Sequence, residues 1–81
     1  MREARPDRPF ALALRVLGRE TMDLVQACFH ADTALPRAFQ EMLNGEEIAA
    51  IRVWQAWALE QRGGSGTSVP LIDPDLPRPL D

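Results

Sequence analysis

Residues 44–62, NGEEIAAIRVWQAWALEQR, decide how this chain folds. Asn44 is a helix-capping residue, Glu47 three positions on completes a capping-box pattern, and Glu46 and Glu47 stand where a helix dipole is positive. The stretch predicts a helix over residues 45–62, stopped by Gly63 and Gly64. With successive side chains about 100° apart, Ala50, Ile51, Trp54, Trp57 and Ala58 share one broad face. Ile48 and Leu59 fall well round on another, with Val53 between. Only Arg52, Gln55, Glu60, Gln61 and Arg62 interrupt the apolar circumference. A helix apolar on more than one face has to be covered on more than one face.

Upstream, Asp7 is an N-cap type and Pro9 suits a first helical turn. Phe10, Leu14, Leu17, Thr21, Leu24, Cys28 and Ala31 then recur at alternating spacings of four and three, which predicts a first helix over 8–30 with a kink or break near Gly18 to Thr21. Leu12 and Val16 lie off that stripe. Phe10, Leu12, Leu14 and Val16 also alternate as a strand would, but the leucines and alanines here are better helix formers than strand formers. Asp32 and Thr33 mark a turn, and Pro36 opens a second helix over 36–43 with Phe39, Met42 and Leu43 on its buried side. The expected fold is all-α, a bundle of about three helices.

Composition divides the chain into a body, residues 1–62, a Gly/Ser linker, residues 63–68, and a tail, residues 69–81. The linker reads either as natural or as a joint between fused pieces. In the tail, four prolines in thirteen residues forbid a helix, yet Val69, Leu71, Ile72, Leu76 and Leu80 are apolar anchors on a stiff extended backbone. Such a segment fits a groove, either on its own body or on another chain, and Asp73, Asp75 and Asp81 would favour a basic rim.

Eighty-one residues allow one domain, and 46% apolar with 26% charged residues is an ordinary globular composition. Two many-faced helices in so short a chain lead us to expect an obligate dimer or a partner-bound subunit. No run of about 20 apolar residues offers a membrane span, the N-terminus is a poor secretory signal, and a lone cysteine makes no internal disulfide. A cytoplasmic location is expected, and the exclusive use of arginine as the basic residue points to a bacterial, GC-rich source.

Cys28, His30 and Asp32 form the one cluster with chemical potential. Three alternating positions with no second Cys or His make neither a zinc site nor a thiol–imidazole pair, because residues two apart on a helix point about 200° apart. No glycine-rich phosphate loop is present: residues 63–66 lack a following lysine. We therefore expect no catalytic residues, no metal and no cofactor. The expected function is protein–protein interaction, as an accessory subunit or docking and assembly adaptor, through Ile48, Ile51, Trp54, Trp57, Leu59, Leu71, Ile72, Leu76 and Leu80.

The alternative rests on charge. The net charge of −3 disfavours nucleic acid as a partner, but Arg2, Arg5, Arg8, Arg15 and Arg19 oppose only Glu3 and Asp7 in the first quarter. If residues 10–17 formed a strand, the order strand, helix, helix would resemble in outline the ribbon-helix-helix repressors. That resemblance implies a dimeric DNA-binding regulator or antitoxin holding DNA through Arg2, Arg5 and Arg8 and wrapping a toxin with its tail.

Overall fold

The computed structural model describes residues 8–63 and 69–76. Four helices follow one another: α1 Arg8–Leu17, α2 Arg19–Ala31, α3 Arg37–Glu41 and α4 Gly45–Gln61. No strand occurs among the described residues, so the all-α expectation holds with four helices in place of three. Residues 10–17 are helical, and the strand–helix–helix outline goes with the strand.

The extra helix comes from Gly18. Its φ of 90° and ψ of 165° belong to a region that essentially only glycine occupies, so one long helix becomes two that meet at an angle. The hydrogen bonds on either side, Gly18 N–H to Leu14 C=O at 2.8 Å and Met22 N–H to Gly18 C=O at 2.9 Å, keep the corner closed. The break also resets the helical phase. Of the stripe projected through Thr21, Leu24 and Cys28, Cys28 is buried and Thr21 and Leu24 are half-buried, Leu24 against the core; Met22, Val25 and Phe29 join Cys28 as the buried set of α2, and Ala31 is exposed.

α2 ends on Asp32, which takes the left-handed conformation with φ 59°, while Thr33 N–H bonds back to Cys28 C=O. α3 is a single tight turn and a half beginning after Pro36. Because it stops at Glu41, Met42 is 79% exposed and does not join Leu43 inside, contrary to the expectation for 36–43. The capping box at the start of α4 is complete: Glu47 N–H donates to Asn44 Oδ1 at 2.8 Å, and Asn44 N–H donates to Glu47 Oε1 at 2.9 Å. Gly63, at φ 98°, ends the helix as expected.

α4 is the central beam. α1 packs along it and also against α2. Ile48, Ala50, Ile51, Trp54, Gln55 and Ala58 are buried, distributed so far round the helix that it has almost no single apolar side. Trp54 meets Phe29 edge to face, ring centroids 5.1 Å apart, and the Arg62 guanidinium lies 5.1 Å over the other aromatic's ring, Phe29. The Trp54 indole N–H is buried without a hydrogen-bond partner among the described residues, a cost set against the packing of its ring. No described helix is long and apolar enough to cross a membrane.

Candidate partner-binding groove

The second cover for α4 is residues 69–76. Leu71 is fully buried, Ile72 and Leu76 nearly so, all three within the same apolar core as Ile51 and Trp54. The tail segment thus packs on its own body. An extended chain lying on helices has no neighbouring strand to pair with, and two glutamines supply what a strand would. Gln55 Nε2 donates to Val69 C=O at 2.9 Å, and its Oε1 accepts from Leu71 N–H at 2.9 Å. The carboxamide brackets Pro70, the residue with no N–H to offer. Gln40 repeats the device one step along: its Oε1 accepts from Asp73 N–H at 2.8 Å, and its Nε2 donates to Leu35 C=O at 2.7 Å. Leu35 N–H in turn donates to Leu71 C=O at 3.0 Å.

Further along, Asp73–Pro74–Asp75–Leu76 closes a β-turn, with Leu76 N–H on Asp73 C=O at 3.0 Å and Asp75 N–H on Asp73 Oδ1 at 2.9 Å. Proline in its second position and aspartate in its first are the residues such a turn favours. Arg37 Nη1 meets Asp73 Oδ2 at 2.9 Å, which is the basic contact expected of the groove rim, and its Nε meets Glu41 at 3.3 Å. The pair is half exposed and so contributes little. At the near end, Val69 N–H reaches Asp32 Oδ1 at 3.3 Å, so the left-handed cap of α2 also holds the segment.

The energetics of this seating nearly balance. Three buried aliphatic side chains contribute about 5–9 kcal/mol and the main-chain hydrogen bonds about 1 kcal/mol each, while ordering the eight residues costs about 12 kcal/mol, less what the prolines save. The segment is held by a margin of a few kcal/mol.

Seated there, the segment forms one wall of a second, open groove of about 430 Å³. Arg52, Ala56 and Leu59 of α4 form one side, and Pro70, Ile72 and Pro74 the other. The outer face of α4 continues from it: Ala49, Val53 and Ala56 are exposed at helical spacing, with Val53 53% accessible. Leu12, Met42 and Val69 are the other large apolar side chains exposed among the described residues.

Of the residues expected to contact a partner, Ile48, Ile51, Trp54, Leu71, Ile72 and Leu76 lie inside the core, and Trp57 and Leu59 are half-buried against it. Leu80 lies outside the described residues, as do Asp81, Asp7, Arg2 and Arg5 and most of the 63–68 linker; Arg8 is exposed at the start of α1. Gln40 and Gln55, which hold the segment, were not anticipated. Gln55 counted only as an interruption of an apolar helix. Their signal was the position: each sits beside aromatic core residues, at 3% and 9% exposure, in a chain whose tail needs main-chain partners.

Cys28 is buried, and loss of solvent pushes its thiol pKa above the usual value. His30, two residues on, is exposed and rests edge-on to Phe29 at 5.6 Å. No group of three metal-binding side chains comes together among the described residues. Comparison with known protein families, with characterised proteins and with solved structures finds no match for this chain.

Proposed function

We propose that this protein is a non-catalytic interaction module, an accessory or assembly subunit that docks a largely apolar element of a larger partner. The observation that carries this reading is the outer face of α4 with its adjoining groove. A solvent-facing helix side normally carries charge along its length, whereas here, between the exposed Glu46 and Glu60, Ala49, Val53 and Ala56 form an apolar strip opening onto Leu59, Pro70 and Ile72. Arg52, at the edge of the same groove, offers one cation for a carboxylate on the incoming element. The two alanines, Ala49 and Ala56, let a partner approach α4 closely on either side of Val53. The buried, desolvated state of Cys28 also supports a binding role over a nucleophilic one, because the thiolate is the reactive form.

The test uses the intact chain, immobilised, against extract of its source cells, comparing the native protein with Val53→Asp and Ala56→Glu. Both positions are exposed, so both variants should fold with unchanged helical circular dichroism. A protein retained by the native chain and lost from both variants is expected. Retention of nothing beyond an unrelated helical control, or of the same proteins by all three, would refute the reading.

A further inference from the structure

The charges of this chain are unevenly placed. Residues 8–19 hold three arginines and no acid, while residues 20–81 hold four arginines and ten acids. Residues 1–7 contribute two of each and leave the balance unchanged. A protein of net charge −3 thus carries one positive element, α1 together with the residue that opens α2.

That charge faces solvent. Ala13 is buried and Phe10, Leu14, Val16 and Leu17 pack against the core, which commits most of α1 to its own fold. The remaining side consists of Arg8, Ala11, Leu12 and Arg15, all exposed and all within about 100° of one another round the helix. Arg19, exposed just past the corner at Gly18, extends the charge. Elsewhere Arg37 is paired with Asp73 and Glu41, and Arg62 lies over Phe29. Arg8, Arg15 and Arg19 make no ion pair or ring contact among the described residues. The fold does not ask for this pattern. Arg8 stands in the first turn of α1, where the helix dipole disfavours a cation, and Leu12 is 47% exposed between the two arginines.

We propose that this side of α1 docks an acidic amphipathic helix of a partner protein, at a surface separate from the outer face of α4. Unpaired arginines on an otherwise acidic chain are complementary to carboxylates. Their spacing selects a helix: Arg8 and Arg15 are two turns and about 10.5 Å apart along α1, the interval at which a second helix repeats a face, whereas a strand repeats about every 6.8 Å. Leu12 between them takes an apolar side chain. The complementary element therefore has carboxylates seven positions apart, with an apolar residue three or four positions after the first. A nucleic-acid backbone would meet the arginines but leave Leu12 and Ala11 unused, and the acidic remainder of the chain would repel it.

The probe is a labelled, stapled helical peptide of about four turns carrying that pattern on an alanine and glutamine background, titrated against the intact chain at low salt by fluorescence anisotropy. Saturable binding is expected, weakened about tenfold or more by Arg8→Glu with Arg15→Glu and by raising salt to about 0.3 M. Leu12→Ser should weaken it severalfold. These positions are exposed, so helical circular dichroism should be unchanged. A peptide with arginines in place of its glutamates should bind the reversed chain and not the native one, which separates lost complementarity from misfolding. Val53→Asp should leave peptide binding intact, so this proposal and the α4 reading fail separately.

No saturable binding up to about millimolar peptide, or equal binding by the native and reversed chains, would overturn the proposal. Loss of binding with Val53→Asp would place the peptide on α4 and overturn it too. A duplex oligonucleotide that binds the native chain more tightly than the peptide does, and is indifferent to Leu12→Ser, would assign the surface to nucleic acid instead.

Discussion

The sharpest consequence of the structure concerns Gln55. Replacing it with leucine keeps the volume and removes both hydrogen bonds that bracket Pro70. Leu71 is fully buried, so its N–H loses its partner with no water to replace it, at about 1–3 kcal/mol; Val69 is 41% exposed, and its carbonyl recovers part of its loss from solvent. Allowing for the greater hydrophobicity of leucine, Gln55→Leu should cost about 2–3 kcal/mol, a fall in Tm of about 10–20 °C for a domain of this size. Gln55→Glu separates the donor from the acceptor. Ionised, it accepts from Leu71 N–H but faces the Val69 carbonyl with no proton to give; protonated, it restores both bonds. Burial and the lost donor both favour the neutral acid, so its folded pKa lies above its unfolded value of about 4.3. The glutamate is then harmless below the unfolded pKa, and stability is lost as pH rises through the folded pKa. Urea melts followed by tryptophan fluorescence at pH 4 and pH 7.5 should show Gln55→Glu close to the native chain at the lower pH and markedly weaker at the higher one. Taking the difference from the native protein removes any pH response the two chains share. A Gln55→Leu chain as stable as the native one, or a Gln55→Glu deficit equal at both pH values, would refute the clamp.

Other consequences are more local. Asn44→Ala dismantles the capping box of α4 and should cost about 1 kcal/mol, seen as a fall in urea midpoint without change in slope. At Gly18 an added Cβ would meet nothing within 4 Å, so any effect is purely of backbone conformation. Gly18→Ala should destabilise by about 1–2 kcal/mol, whereas D-alanine at the same position in a synthetic chain should stabilise by several tenths, both read by thermal melting. Cys28 should resist thiol reagents in the folded chain and react at the rate of unfolding when urea is added. Because burial raises its thiol pKa, the folded chain holds that proton more tightly, and stability should decline as pH rises through and above the thiol's unfolded value, a decline absent in Cys28→Ala.

The sequence revealed the parts of this molecule that follow from local chemistry. The capping box at Asn44 and Glu47, the stop at Gly63, the weak point at Gly18 and the many-sided apolar surface of α4 are each written in adjacent residues, and each stands in the structure as read. What was less legible depends on distance. Carrying the phase of α1 across Gly18 centres the stripe on Leu24, because a projection assumes one axis; the break at Gly18 leaves Leu24 half-buried at the edge of the core, and Met22, Val25 and Phe29 take its centre. Met42 looked buried because residues 36–43 looked like one helix, and ending it at Glu41 turns Met42 outward. The roles of Gln40 and Gln55 were hidden most completely. A polar residue on an apolar helix looks like a solvent contact until the main chain it bonds, 16 positions away for Gln55 and 33 for Gln40, is brought beside it.

The excess apolar surface that pointed to a partner has two destinations. α4 needs covering on more sides than α1 and α2 can reach, and Leu71, Ile72 and Leu76 provide part of that cover from the same chain. They do so in a form that helices alone accommodate poorly, an extended backbone whose donors and acceptors must all be met. Prolines at 70 and 74 remove two of those donors, and glutamines meet others. The segment therefore closes the core without a third long helix, at the cost of a seat held by a few kcal/mol instead of the tens that a helix packed along its length would give. The surface that remains, Val53 with Ala49 and Ala56 beside the groove at Leu59, is bounded by that same segment. A partner on the outer face of α4 would touch Pro70 and Ile72 and thereby tighten the seat, while release of residues 69–76 would remove one wall of the partner's site. Docking on α4, as proposed, and retention of the tail would then be linked equilibria, each favouring the other by one and the same coupling factor.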